Sequence, residues 1–461
     1  VAERGRRGEG ALARDSLGVF GAQIATTIFG VLTGIITARV LGPTDRGLFN
    51  VLMLLPITLS NFVKFGIPQA NVYFMRRRGA DASDVASNSV WIALALGGGL
   101  AIVCYGARGW ILARFFPGAS PLMLEASLVQ LPFVVVQAYF LGILQAQERF
   151  REYNIQTVAP TVLALVGMAV VLLWLKLGLA GAVLTQTAIV LAITVWIGMR
   201  VHRFAPLRMR WNGRLARGML TFGTKSYLQT LASTLHFRID QYMIVYLLNP
   251  TQVGYYGVAV SLTNLLLKIS DAAGTVLFPR LAASGDRHAH AATSRVCRTT
   301  LFVTVAVALC YATVGPLAIR VLYGQRFLPS IRPMLLMLPG IVMISLYLIL
   351  TRNFTSRNRQ EVNIVAAFAA LAINVGCNWV LIPRWGIAGA AISTAISYSI
   401  AAVLLLVVFV RESGHTVAET VVVERADVDA LVRVVFRRPR RAPLAASLRA
   451  SAIPDTSRKE A

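Results

Sequence analysis

The sequence predicts an all-α polytopic membrane protein of about twelve transmembrane helices, arranged as two pseudo-symmetric six-helix lobes around a central cavity. Three observations lead there. With 56% hydrophobic and only 14% charged residues in 461, and a mean hydropathy of +0.65, the chain is too apolar to close a water-soluble core behind an ordinary polar surface. Runs of about 20 apolar residues, enough for a helix to cross roughly 30 Å of hydrocarbon, recur along its length. The chain also repeats itself: residues 41–47 read LGPTDRG and residues 248–254 read LNPTQVG, with Pro43 and Pro250 separated by 207 positions. The same separation, within two residues, relates Leu131-Pro132 to Leu338-Pro339, Asn154-Ile155 to Asn363-Ile364, and GLAGA at 178–182 to GIAGA at 386–390. Ordered matches of this kind define a duplicated half.

The elements follow from apolar runs between charged or turn-rich breaks. Residues 1–15, with Arg4, Arg6, Arg7 and Arg14, read as a polar cytoplasmic tail, without the apolar region and small-residue cleavage site of a signal peptide. The first lobe, 16–200, is expected to hold helices at 16–41, 47–75, 86–106, 122–146, 155–176 and 179–200. A basic cytoplasmic linker at 201–217 leads to the second lobe, 218–410, with helices at 218–248, 254–282, 296–322, 331–351, 361–382 and 386–410. Residues 411–461 read as a basic, largely disordered cytoplasmic tail, in which 427–438 mixes apolar and charged residues in a way that suits an anionic membrane surface.

Basic residues set the direction. The connections after even-numbered helices and the leading tail carry more than twice as many arginines and lysines as those after odd-numbered helices, including Arg76, Arg77, Arg78, Arg149, Arg214 and Arg217. The positive-inside rule therefore places both termini in the cytoplasm, and it accounts for the net charge of +25 without nucleic acid. Cys104, Cys297, Cys310 and Cys377 show no metal or redox spacing, and the five histidines read as solvated loop residues. The stretch GMLTFGTKS at 218–226 nearly spells a phosphate-binding loop, but Thr224 separates the second glycine from Lys225 and no strand precedes it. No cofactor or metal is expected. Outer connections of about 15 residues leave little room for the catalytic carboxylates of a membrane glycosyl transferase, so an enzyme is not expected either.

A basic side chain at mid-bilayer costs about 3 kcal/mol even on insertion scales, so ionisable residues inside the spans are the candidate site. They are Lys64 in the second helix, Lys225, Arg238 and Asp240 in the seventh, and Lys268 and Asp271 in the eighth. Lys64 and Asp271, 207 positions apart, are expected to face each other across the pseudo-twofold axis. Lys64, Arg238, Lys268 and Lys225 are read as a basic, water-filled cavity between the lobes that holds an anionic group such as a pyrophosphate. Asn61, Gln69 and Gln229, with Gln23, Asn71 and Asn264, would offer hydrogen bonds to sugar hydroxyls. Asp240 and Asp271 are the acids available for ion coupling or ion pairing. The plainer alternative is that Lys268 and Asp271, at i and i+3, neutralise each other, that Lys225 snorkels, and that the polar residues bond between helices. Gly30, Gly34, Pro56, Gly66, Pro68, Gly274 and Pro279 are candidate hinges, and the two repeated turns read as scaffold.

Several ordered segments, ITARVLGPTDRGLFN, RIDQYMIVYLLNPTQVGYYGVAVSL, GPLAIRVLYGQRFLPS and NWVLIPRWGIAGAAISTAISY, resemble the polysaccharide-exporter (oligosaccharide flippase) branch of the multidrug/oligosaccharidyl-lipid/polysaccharide (MOP) transporter superfamily, over residues 14–410. The resemblance implies lobes that rock between inward-open and outward-open states. It also implies a polyprenyl-diphosphate-linked oligosaccharide cargo, moved to the outer face of a bacterial inner membrane for polysaccharide biosynthesis, with membrane lipids, a polysaccharide polymerase and glycosyltransferases as partners. The rival readings are a cation-coupled drug or metabolite exporter of the same superfamily and a non-transporting scaffold of a glycan assembly complex. A peptidoglycan-precursor flippase is set apart by its fourteen helices.

Overall fold

A computed structural model describes residues 2–208, 210–283 and 286–427, with the side chains of all but 2–17, 19–20, 224–226, 228–230, 272 and 274–289. Within these residues every regular element is helical. Helix α1 (Ala2–Val63) holds two spans folded at Gly42, whose φ of 72° is a left-handed conformation that glycine adopts without steric cost. Pro43 then opens the second span at the position where its missing N–H costs nothing. That span is completed by α2 (Ile67–Arg77). The third is α3 (Ala82–Ala93) with α4 (Gly99–Gly106), and the short α5 (Arg108–Phe115) lies in the connection after it. The fourth to sixth are α6 (Pro121–Ala146), α7 (Phe150–Ala169) and α8 (Gly178–His202).

The seventh span is broken into α9 (Gly213–His236) and α10 (Ile239–Leu247), where the sequence predicted one continuous helix. It is followed by α11 (Pro250–Ala283), α12 (Asp286–Ala318) and α13 (Ile331–Ser356). Helix α14 (Gln360–Ser413) supplies the last two spans, folded at Gly386 with φ 59°. Eight stretches are long and apolar enough to cross a membrane, and two of them, Gly21–Val63 and Gln360–Ser413, contain a pair each. With α9–α10 and α11, which carry the charged residues, the described spans reach the expected twelve. Large apolar side chains such as Ile102, Trp174 and Val365 are more than two-thirds exposed, as faces turned to lipid require. Ile67, Val135, Tyr139, Ile143 and Ile197 pack in one cluster, joined by Ala216 and Met219 of α9, whereas Ile344, Leu350, Ala391 and Leu405 belong to a larger cluster that also takes in Leu48, Leu52, Leu124 and Val183 of the first lobe, so the apolar interior runs across both lobes.

The helices alternate in direction, so one end of the bundle gathers the arginine-rich connections, hereafter the basic end. The segment read as a leading polar tail is part of α1 from Ala2 onward. Two histidines assigned to solvated loops are instead buried on helices: His236 on α9, bonded to Ser397 at 3.0 Å, and His290 on α12, edge-on to Phe409. The stretch after Ser413 is not a free tail over its described part. It forms α15 (Val417–Val421), started by a reciprocal cap between Thr416 and Glu419, and docks on α12. The docking centres on Asp427, 1% exposed, between Arg295 at 3.1 Å and Arg298. The remainder of that tail, including the mixed apolar and basic stretch to 438, lies outside the described residues.

Burial alone would raise the Asp427 carboxyl, but bonds from Arg298 and from the Glu424 backbone, with the charges of both arginines, hold it below the usual carboxylate range. A depressed value means that the docking is fully present above the unfolded value of about 3.9 and is lost as pH falls through the lower folded value. Asp427→Asn should therefore release the segment even at neutral pH, seen as faster tryptic cleavage at the exposed Arg425. Unchanged cleavage would show that the arginine pair does not hold it.

Candidate functional site: two inter-lobe seams and a buried acid

At the end opposite the arginines, the lobes meet through the repeated turns themselves. Thr44 and Thr251, equivalent by the 207-residue repeat, share a hydrogen bond of 2.8 Å between their hydroxyls. The backbones on either side nearly touch. A Cβ at Gly47 would overlap the Pro250 carbonyl oxygen and lie 2.7 Å from its carbon, and one at Gly254 would overlap the Pro43 oxygen and lie 2.9 Å from that carbon. These are reciprocal contacts between equivalent positions, as a twofold axis requires. One turn further along, Asn50 fills the space where its counterpart Gly257 has no side chain. Arg39 of the first lobe donates to the carbonyls of Val321 and Leu322 at the end of the ninth span, where the helix dipole is negative, and Arg114 on α5 lies 3.9 Å from the ring centre of Tyr246. The turns read as scaffold are thus the closed seam between the lobes.

A second seam lies towards the basic end, where α2 meets α9. Gly66 and Gly223 face backbone to backbone, each leaving no room for a Cβ on the other. Tyr73 and Phe222 stack at 4.3 Å beside them. Asn88 and Asn212 exchange two bonds of 3.0 Å at the start of α9. With seams at both ends, the lobes are in contact on either side of the membrane-spanning region.

Lys64 sits where the second span breaks, at Lys64-Phe65-Gly66. The cause is Pro68, which has no N–H to give the Lys64 carbonyl in a continuous helix. That carbonyl accepts from Ile67 at 3.0 Å and from the Tyr139 hydroxyl at 3.4 Å, and Tyr139 also reaches the Val63 carbonyl at 3.2 Å. Phe65 takes the strained φ of 41°, and Gly142 lets α6 close over Pro68. The break aims Lys64 Nζ at Asn61 Oδ1, 3.2 Å away. Arg238 likewise sits at a break, as the residue that opens α10.

A cavity of about 390 Å³ lies within the second lobe, bounded in part by Arg238, Asp240, Asn264, Asp271, Tyr256 and Thr394. Asp240 is 5% exposed and belongs to a network of uncharged groups. Its carboxylate accepts from Tyr256 at 2.8 Å, Thr394 at 2.6 Å and Asn378 at 2.7 Å, and Asn378 bonds onward to Asn374 at 3.0 Å. Acceptors outnumber protons here. The single Thr394 proton is claimed by both Asp240 and the Ala390 carbonyl, and the buried Asn378 Oδ1 has no partner among the described residues. The position equivalent to Asp240 in the first lobe is Thr33, so this acid is a feature of one half.

Two sequence expectations are corrected. Lys64 does not pair with Asp271: the latter lies 4.0 Å from Lys268 and 3.6 Å from Arg352, and Lys64 bonds Asn61. The predicted residues also do not form one basic cavity. Arg238, Asp240 and Asp271 share a space with two acids for one base, Lys64 and Asn61 lie together on the second span, and Gln69 and Lys268 are exposed. The side chains of Lys225 and Gln229 lie outside the described residues. Of the hinge candidates, Gly66 and Pro68 mark a real break, whereas Gly30, Gly34 and Pro56 sit inside continuous helix. Sequence reasoning passed over Tyr256, Asn374, Asn378 and Thr394. Asn374 and Asn378, at i and i+4 in an apolar helix, were the available signal.

The fold and its seams define a multi-pass helical membrane protein of two lobes. Residues 12–284, more than half of the chain, match the model of the polysaccharide biosynthesis protein family, and the chain belongs to that family. It is similar in structure to the lipid II flippase MurJ in an inward-closed conformation, with TM-score 0.74, 14% identity, and 93% of this chain and 94% of that one covered. It is also similar to an inward-facing MATE family multidrug resistance transporter of the MOP superfamily, with TM-score 0.71, 15% identity, and 84% and 94% covered. At these identities the likeness is one of fold. Among curated proteins, a "probable low-salt glycan biosynthesis flippase" of Haloferax volcanii is 21% identical over 194 residues, 41% of either chain. An uncharacterised membrane protein of Methanocaldococcus jannaschii is 22% identical over 203 residues, 43% of this chain and 40% of its own. The match spans about two-fifths of the length of these curated relatives.

The seam opposite the basic end yields a direct test. Cysteines at Thr44 and Thr251, in a background lacking the native four, should crosslink on oxidation. Adding Gly254→Val should lower the yield about tenfold, because overpacking at a backbone contact costs about 1–3 kcal/mol. Gly30→Val, where a Cβ meets nothing within 4 Å, should leave the yield unchanged. Equal yields in all three would mean that the seam tolerates side chains.

Proposed function

We propose that the protein is a flippase that moves a polyprenyl-diphosphate-linked oligosaccharide from the cytoplasmic to the outer face of a bacterial inner membrane by alternating access, for polysaccharide biosynthesis. The observation that carries this reading is the pair of inter-lobe seams at opposite ends of a duplicated bundle. Both are built from backbone contacts that must separate as units, which suits two rigid lobes rocking about a shared axis. Membership of a polysaccharide biosynthesis family, and the name of the archaeal glycan flippase, support the cargo class. The basic end is taken as cytoplasmic by the positive-inside rule, with both termini there. The diphosphate and sugars need a polar route, whereas the polyprenyl chain is at home in lipid.

In this reading Lys64 and Arg238, each held at a helix break, contact the passing diphosphate, and Asn61 and Asn264 contact sugar hydroxyls. Lys268 and Asp271 act as a pair at the cavity edge. Asp240 is the coupling site: a buried carboxylate among acceptor oxygens that lack protons accommodates a proton or a sodium ion, whose arrival alters the packing of α10 against α14. A second reading has support in one observation. Asp240 at the second-lobe cavity, a carboxylate bonded to uncharged groups, suits an organic cation, as in a cation-coupled drug or metabolite exporter.

Purified protein in proteoliposomes decides between them. A fluorescent short-chain lipid-diphosphate saccharide should become accessible to a membrane-impermeant quencher on the opposite face. Lys64→Ala and Arg238→Ala should each slow this about tenfold or more, and Asp240→Asn should remove its dependence on an ion gradient while leaving binding in place. Efflux of a cationic dye with no movement of the saccharide lipid would replace the flippase reading with the exporter.

A further inference from the structure

We propose that an open cleft at the basic end, between the two lobes, is a docking site for a phosphate or diphosphate head group, distinct from the cavity around Asp240. The cleft, of about 610 Å³, is lined by Tyr73 and Arg78 from the first lobe and by Arg214, Arg217, Thr221 and Phe222 from the second. Its aromatic wall is the Tyr73–Phe222 stack, backed by Phe74, whose ring would lie 3.0 Å from a Cβ at Gly218.

Where arginines converge elsewhere at this end, they converge on a carboxylate. Arg149 and Arg200 meet Glu152, Arg295 and Arg298 meet Asp427, and Arg357 and Arg359 meet Glu412. Arg78, Arg214 and Arg217 line one space, are exposed, and form no ion pair with a carboxylate among the described residues. Three guanidinium groups around a cleft with no acid among its described lining residues create a concentrated positive potential, and the opening turns of α9 add the positive end of a helix dipole. Guanidinium groups bind phosphate oxygens through paired hydrogen bonds, and an anion of two or three charges matches three of them. Depth in the membrane agrees: Trp211, 58% exposed and three residues before Arg214, is the kind of side chain that sits at head-group level.

The cleft also has a mechanical consequence, because its charges come from both lobes. Empty, Arg78 repels Arg214 and Arg217 and favours separation of the basic-end seam. Occupied, the anion is attracted to both lobes and favours closure over Gly66 and Gly223. Head-group docking would then be the event that shuts the basic end. Only the identification of that head group with the flippase cargo rests on the flippase reading.

The test uses the full chain in nanodiscs of neutral phosphatidylcholine, with inorganic pyrophosphate binding followed by calorimetry. R78Q/R214Q/R217Q should weaken binding about tenfold or more, R78K/R214K/R217K should retain much of it, and R77Q, outside the cleft, should match the parent. Crosslinking between cysteines at Thr44 and Thr251 checks that each variant is folded. Adding anionic phosphatidylglycerol separates the sources. Loss of pyrophosphate binding would assign the cleft to ordinary lipid head groups, and persistence would assign it to a lipid-linked diphosphate; both support the site. Equal binding by the parent and R78Q/R214Q/R217Q, or no binding by the parent, would overturn it. Absence of glycan-lipid translocation by the parent would instead count against the flippase reading and leave the binding result intact.

Discussion

The structure depends on backbone meeting backbone across the pseudo-twofold axis. At Gly47 against Pro250 and Gly254 against Pro43, the two lobes approach until no side chain fits, and the Thr44–Thr251 hydrogen bond lies between those contacts. Helices in lipid gain little from hydrophobic association, since the surrounding chains are as apolar as their own side chains, so close packing at small residues supplies much of the attraction. Such contacts are also steep. A gap of about 0.5–1 Å already forfeits a quarter to a half of the dispersion energy, which lets a seam behave as closed or open with little between.

Helix breaks provide the second organising constraint. Pro68 leaves the Lys64 carbonyl without its helical donor, and the repair by Tyr139 and Ile67 fixes the direction of the Lys64 side chain. The seventh span is interrupted at Phe237-Arg238, which places Asp240 in the first turn of α10, facing α11 and α14. In each case a polar residue is held inside the bundle by a local defect, and at Lys64 the orphaned carbonyls are satisfied by Tyr139 of a neighbouring helix, the condition under which irregular backbone survives at membrane depth.

The lobes share a frame but not a chemistry. Asp240 has Thr33 as its counterpart, and the basic-end seam of Gly66 and Gly223 joins positions that are not equivalent in the repeat. One end of the molecule is therefore closed by symmetric contacts between equivalent turns and the other by unlike partners flanked by arginines that have no carboxylate partner among the described residues. An occupant that needs charge to bind meets different surfaces at the two ends, which suits directional movement.

Twelve spans, two halves and the positions of the turns were legible in the sequence, because apolar length and repetition survive in a one-dimensional string. Individual ionisable residues such as Lys64, Arg238 and Asp240 were legible too, since a charge within an apolar run is conspicuous on energetic grounds alone. Their partners were not. Asp271 turned to Lys268 and Arg352, on its own helix and on α13, and Asp240 gathered Tyr256, Asn378 and Thr394 from three other segments. The repeat identified equivalent positions, but equivalence under a twofold axis brings two residues together only near that axis, as it does Thr44 and Thr251 and does not Lys64 and Asp271. The sequence by itself determined which segments cross the membrane and which carry charge. Only the tertiary structure decided which backbones touch, because that depends on helix crossing and rotation, set by packing among segments hundreds of residues apart.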